Sequence, residues 1–245
     1  MPASAGIFLA DKYSMFPESL SLRRFIRVLQ SQENADCCTA SASLIAAEMI
    51  MSSVGKNMNF SRLYVYYMTR KIQNRLKQRG AELKDTLNAL TIYGASPENN
   101  WPFSISRIDR EPNIPAIEAG VYYRVQSYKE VSSEEFKTYL IRNIPIIIGI
   151  RTGTKFWKLN GPLEEQAYKA VNITDNRPST GHAMTVIGYD DKIGGGSWIV
   201  ANSLGPRWGF QGYGAIPYEC NVDIGESYVI TKFAGIEAGK KISEN

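Results

Sequence analysis

The sequence predicts an α+β protein: a helical half, then an antiparallel β half, with a cleft between them. Three observations carry this expectation. Apolar residues recur at helical spacing up to about residue 100, and apolar runs of strand length take over after about residue 120. Between them, the stretch 97–115 holds four of the chain's 11 prolines and little periodicity, the pattern of a crossing between two lobes. The expected organisation is an N-terminal extension over 1–19, a mainly helical lobe over 20–115, a β-rich lobe over 116–235 and a tail over 236–245.

The elements follow in chain order. Asp36 is expected to cap a first helix in which Ala42, Ile45, Ala46, Met49 and Ile50 share one buried face, with Cys38 in its first turn. A second helix starts near Ser61, where Phe60, Leu63, Tyr64, Tyr67 and Met68 form a core stripe. A third runs from Glu82 to Tyr93 and stops at Gly94. In the second half Val121–Tyr128 reads as a strand, and Ser132-Ser133-Glu134-Glu135 is a capping box opening a short helix to Arg142. Ile146–Ile150 reads as a buried strand, and Ala183–Tyr189 with Trp198–Asn202 as a hairpin around Asp190-Asp191 and the 194–196 glycines. Tyr213–Pro217 and Tyr228–Phe233 complete the set.

Composition narrows the function classes. With 245 residues, 44% hydrophobic and 21% charged, the chain has the make-up of a soluble globular protein with a full core. The net charge of +4 is mild, and the one dense basic stretch, Arg70 to Arg79, lacks interleaved aromatics. It reads as a solvated helix end, so no nucleic-acid partner is expected. No apolar run reaches membrane-spanning length, and the Gly6–Ala10 run lacks the basic region of a secretory signal. Three cysteines, Cys37, Cys38 and Cys220, do not form an even disulfide framework, which points to a reducing, cytoplasmic setting. No cofactor or metal is expected, nor a membrane partner, and the chain is expected to work as a monomer.

The chain has one histidine, His182, so any imidazole chemistry near neutral pH rests on it and multi-histidine metal cages are excluded. A lone histidine is more often structural than catalytic. Here it opens a strand between Gly181 and Ala183, beside the cleft the layout implies. A cysteine in the first turn of a helix, this histidine, and Asn202 at the end of the partner strand make a complete nucleophile set. The helix N-terminus favours thiolate, the imidazole accepts the proton, and the amide fixes the ring's tautomer without adding charge.

These blocks resemble the papain-like cysteine peptidases, particularly their bacterial and viral branch. Gln32-Glu33-Asn34-Ala35-Asp36-Cys37-Cys38-Thr39-Ala40-Ser41-Ala42 is similar to the family's Gln-x5-Cys run, Gly181-His182-Ala183 with Val186-Ile187-Gly188-Tyr189 to its general-base strand, and Trp198 to Gly205 with Trp208-Gly209 and Gly212-Tyr213 to its Asn block. The order Cys, His, Asn agrees, and the Cys-to-His spacing falls within the roughly 130–150 residues usual for the class. The resemblance spans residues 20–233. It implies the papain-like two-lobe fold, with a helical left lobe, an antiparallel β-barrel right lobe and an active-site cleft between. It also implies Cys38 as nucleophile, His182 as general base, Asn202 as its orienting partner, Gln32 as oxyanion donor, and Gly80, Ala81 and Gly181 as substrate-binding residues. The expected partner is a peptide or protein substrate and the expected reaction is hydrolysis through a thioester.

The chain departs from the pattern too. Asp36-Cys37 stands where Gly-Ser is common, Thr39 replaces an aromatic, and Leu204 occupies the place of the family's usual tryptophan, which would leave the His182–Asn202 bond wetter. Pointing inward, Asp36 would raise the thiol's pKa; as an N-cap it would face the helix backbone, the arrangement expected. The adjacent Cys37 leaves the nucleophile assignment open by one residue, helix phase favouring Cys38. Compared with the family's long inhibitory segment, only a short one precedes the first block, and Met1–Glu18 could lie across the cleft as a plug. Acyl transfer to an amine, and a degenerate fold serving as a binding module, remain alternatives; a CHAP-type amidase is disfavoured by spacing.

Overall fold

The computed structural model describes residues 16–153, 156–163, 165, 180–218 and 224–239. The plug expected over Met1–Glu18 falls almost wholly outside the described residues, as does Cys220.

The helical half holds α1 (Cys38–Ser53), α2 (Arg62–Ile72), α3 (Leu83–Ile92) and the short α4 (Ile114–Gly120). The β half holds β2 (Val125–Glu130), α5 (Phe136–Leu140), β3 (Ile146–Thr152), β4 (Thr180–Asp190), β5 (Ser197–Ala201), β6 (Tyr213–Pro217), β7 (Ile224–Phe233) and β8 (Ile236–Glu237). The strands form one antiparallel sheet in the order β2-β7-β3-β4-β5-β6. A strand from the start of the chain, β1 (Ser19–Ser21), pairs with β4, so the first described residues are tied to the β half.

Helix α1 is the hinge of the design. Its small residues Ala40, Ser41, Ala42, Ser43, Ala46 and Ala47 let neighbours approach from every direction, so it is buried all round and not on one face as expected. Thr185 Oγ1 on β4 donates to the Ala42 carbonyl at 2.9 Å, and Thr86 Oγ1 on α3 donates to Thr39 Oγ1 at 3.0 Å. These buried contacts fix the helix that carries Cys38 to both halves of the molecule.

Several expectations hold closely. Ser61 caps α2, its hydroxyl accepting from Tyr64 N, and the capping box at Ser132 is formed, although a 3-10 turn over Ser133–Glu135 precedes α5. Others need correction. The segment expected as a strand from Val121 begins only at Val125, because α4 runs to Gly120 and a turn follows in which Tyr122 N and Tyr123 N donate to the Ala119 and Gly120 carbonyls; Asn113 caps that helix by accepting from Ala116 N, with Pro115 in its first turn. Arg70 is fully buried and not part of a solvated helix end. Its guanidinium donates to the carbonyls of Leu76, Gln78 and Ile108 and to Asp109, and it stacks on Tyr66.

Gly94 ends α3 as expected, at φ +74°, and a Cβ there would sit 1.9 Å from the Gly120 carbonyl oxygen. The Gly94→Ala variant is therefore expected to lose about 2 kcal/mol or more of stability, from the left-handed backbone and the backbone clash together. Urea unfolding measures it, and a loss below about 0.5 kcal/mol would show that the α3–α4 junction relaxes freely.

Candidate active site

A cleft of about 840 Å³ runs between the halves, lined by residues of both. Gln32, Asp36, Cys38, Thr39, Gly80 and Ala81 border it on the helical side, and Ile150, Trp157, Gly181, His182 and Ala183 on the β side. Six of the seven expected site residues thus line one cleft. The seventh, Asn202, is fully buried behind His182.

Two adjacent cysteines part ways at the start of α1. Cys37 is the residue before the helix; its side chain is fully buried, with Sγ 3.8 Å from Ser41 Oγ, and burial pushes its thiol up to about 12. Cys38 is half-buried and faces the cleft. Burial raises its thiol pKa too, and backbone N–H groups of Ala183, Thr39 and Cys38 itself oppose that rise by favouring the thiolate. The approach to the helix is bent: Glu33 and Asp36 have positive φ, 48° and 52°. Asp36 consequently does not cap α1, as had been expected. It sits one residue too early, makes no cap hydrogen bond, borders the cleft, and its charge adds a further rise to the Cys38 pKa.

The β side supplies the imidazole. The β4–β5 ladder sets Ala201 opposite Thr185, so the chain leaving β5 at Asn202 runs toward His182. His182 Nε2 lies 2.8 Å from Asn202 Oδ1, which also accepts from Ser203 N at 2.8 Å. An oxygen receiving two donors fixes the roles: Nε2 carries the hydrogen in the neutral ring and Nδ1 is left as the acceptor. Asn202 Nδ2 is buried without a hydrogen-bond partner among the described residues, the cost of pointing the oxygen at the ring. Burial holds the His182 pKa down to about 4, against the Asn202 bond, which raises it.

Gln32 joins the two parts. Its backbone N–H donates to the Ser203 carbonyl at 2.7 Å and its Oε1 accepts from Ser203 Oγ at 2.5 Å. With the carbonyl end held, the Nε2 hydrogens of this nearly buried amide are the part left to point elsewhere. Gly80 has its N–H committed to Tyr66 Oη at 2.9 Å, so its carbonyl is the backbone group it offers the cleft. Gly181 has open space where a Cβ would sit.

Sequence reasoning missed three groups here. Phe156 and Trp157, in a 3-10 turn after β3, pack on the imidazole with ring centroids 5.7 and 5.0 Å away. Glu226, at the start of β7, lines the far end of the cleft beside Gly149, its carboxyl pKa raised by burial and then by Glu82, Glu130 and Asp85. An aromatic pair in a loop preceding the histidine strand was the available signal for the first two; a lone glutamate carried none. The bond expected to be wet is not: His182 is 4% exposed and Asn202 0%. Arg75 and Arg79 of the basic run also border the cleft. Among the described residues no group of His, Cys, Asp and Glu could hold a metal ion, and no helix is long and apolar enough to cross a membrane.

Chemically the arrangement offers a thiol among backbone donors, an imidazole with an acceptor nitrogen, and an amide held by its oxygen, all bordering one cleft. A family profile described as papain family cysteine protease matches residues 16–232. An uncharacterised peptidase C1-like protein of Acanthamoeba polyphaga mimivirus is 25% identical over 89% of the chain and 71% of its own length. A cysteine protease of Blomia tropicalis is 24% identical over 85% of the chain, which spans only 63% of that protein. Among solved structures, xylellain, a cysteine protease from Xylella fastidiosa, superposes with a TM-score of 0.75 at 24% identity, covering 90% of this chain and 88% of its own; this likeness concerns the fold.

Proposed function

Because the chain belongs to the papain family of cysteine proteases, we propose that it is an active peptidase that hydrolyses peptide bonds through Cys38, His182 and Asn202. The observation that carries this is the separation of the two cysteines: Cys37 is sealed in the core, and Cys38 stands at the cleft with His182 Nδ1 free to accept its proton. In this reading Cys38 Sγ attacks the carbonyl carbon while His182 Nδ1 takes the thiol proton. The oxyanion is held by the Cys38 N–H and Gln32 Nε2. His182 then gives its proton to the leaving amine, and water, deprotonated by the same nitrogen, cleaves the thioester. Gly80, Ala81 and Gly181 border the path of the substrate backbone. The chain acts as a monomer on a peptide or protein, with no cofactor, nucleic acid or membrane.

Intact-mass analysis after treatment with a peptidyl epoxide, run alongside cleavage of a fluorogenic peptide library, tests this. One label per chain, located on Cys38, with measurable cleavage is the expected result. Labelling without cleavage of any peptide would favour acyl transfer, and no labelling would favour a binding module.

Gln32→Ala is expected to lower kcat by about 10²- to 10³-fold with little change in KM, since in this reading its Nε2 meets the substrate only at the oxyanion formed in the transition state. Steady-state kinetics decide this. A rise in KM at constant kcat would instead make Gln32 a substrate-binding residue.

A further inference from the structure

Leu204 stands where an indole would otherwise cover the His182–Asn202 pair, yet the pair is dry. The cover comes from a different part of the chain. The 3-10 turn Phe156–Lys158 lays two consecutive rings on the imidazole, Phe156 at 5.7 Å and 60° and Trp157 at 5.0 Å and 67°, an edge-on contact. Phe156 is the anchor of this turn. It is fully buried, its ring lies 5.2 Å from that of Trp208, and its carbonyl accepts from Trp208 Nε1 at 2.9 Å. Trp157 is the outer ring, 37% exposed, and lines the cleft beside His182. The histidine it packs against borders open solvent space and is still only 4% exposed.

We infer that Trp157 is a positioning residue for the reaction: its indole roofs the imidazole, excludes water from the His182–Asn202 hydrogen bond, and holds the ring with Nδ1 toward the Cys38 side of the cleft. The consequence for turnover rests on the peptidase reading above; the effect on His182 does not. A hydrogen bond open to water exchanges its partner at little cost, whereas a covered one keeps it, because a buried acceptor and donor, once parted, would go unpaired. The attraction between packed aromatic rings depends on their geometry, which restrains rotation of the imidazole about its own bond. The same turn ties this cover to Trp208, so the roof is held from the Asn202 side of the sheet and not by the cleft wall alone.

The chain's only histidine gives one imidazole to titrate by NMR, through its Cε1 and Cδ2 proton signals, independently of activity. Removing the roof with Trp157→Ala admits water to the ring, so the His182 pKa rises from about 4 toward its ordinary 6.5, by about one unit or more. At pH 6 alkylation of Cys38 by the epoxide slows by roughly tenfold, the size of one exposed hydrogen bond. Trp157→Phe restores both, since a flat ring returns. A residue that merely stabilised the fold would change the unfolding midpoint and leave the titration where it was; an unmoved titration in Trp157→Ala overturns the proposal, as does failure of Trp157→Phe to rescue. If the alanine variant does not fold, Trp157→Leu, which keeps apolar bulk without a flat cover, is titrated instead under the same criterion. Should wild-type Cys38 fail to react with the epoxide, the peptidase reading falls, and the NMR comparison still decides the role of Trp157.

Discussion

On the peptidase reading proposed above, Cys38→Ser and His182→Ala are each expected to lower peptide hydrolysis by at least about 10³-fold, and Cys37→Ser to leave it within a few-fold of wild type. The asymmetry between neighbours is the informative part. Cys37 Sγ is fully buried and its thiol is pushed up to about 12, so it is neither reachable nor ionised near neutral pH. Cys38 has backbone donors around its sulfur and an acceptor nitrogen across the cleft. Combining Cys38→Ser with His182→Ala costs little more than either alone, because nucleophile and base act as one unit. Equal losses from Cys37→Ser and Cys38→Ser would point to damage at the start of α1 and not to chemistry.

The pH profile separates the roles further. Below about 4 His182 is imidazolium and cannot take the thiol proton; above it the ring is neutral and can. The rate of Cys38 alkylation should therefore fall on an acid limb near pH 4, and His182→Ala should abolish that limb. Asp36, which raises the Cys38 pKa, predicts a second signature: Asp36→Asn increases the alkylation rate on the acid side, where thiolate is scarce. An unchanged rate in Asp36→Asn would mean that water in the cleft screens its charge.

How much of this was readable in advance follows from where each residue's constraint originates. The placement of Cys38, His182 and Asn202 about one cleft was legible because short local patterns, a helix start and a hairpin, bring them together. The end of α3 at Gly94 and the Ser132 capping box are likewise local chemistry. Asp36 was misread because the cap position is settled by the bend through Glu33 and Asp36, which starts α1 one residue later than composition suggests. Arg70 was misread because its acceptors, the carbonyls of Leu76, Gln78 and Ile108, exist only once the loop beyond α2 and the 105–109 turn have folded around it. Phe156 and Trp157 offered only their adjacency as a signal and were missed for the same reason: the turn that carries them is tied to Trp208, some fifty positions away in the chain.

The second large effect concerns stability, behind the nucleophile helix. Glu48 on α1 is half-buried, accepts a hydrogen bond from Phe60 N at 2.9 Å, and has Arg62 Nη2 3.9 Å from its other oxygen. Arg62 is fully buried, and its Nε and Nη2 have no hydrogen-bond partner among the described residues, so the two charges lie together without a close pairing. Two effects compete: attraction to Arg62 lowers the Glu48 pKa, and burial, with the nearby Glu98 carboxylate, raises it. Burial wins, lifting the group from 4.5 to about 7. In that window the folded state holds a proton that the unfolded chain has released. The contribution of Glu48 to stability is therefore lost as pH rises from 4.5 to 7 and stays lost above it, by an amount of about 3 kcal/mol. Glu48→Gln, which keeps an acceptor for Phe60 N and cannot ionise, should match wild type at pH 4.5 and exceed it by about 2–3 kcal/mol at pH 8. Urea unfolding of the two proteins across that range reads the difference directly. A Glu48→Gln protein less stable than wild type at pH 8 would reverse the ranking, making the ion pair with Arg62 the stronger term. It would also make the ionised pair, and not the neutral glutamic acid, the element that holds α1 against α2.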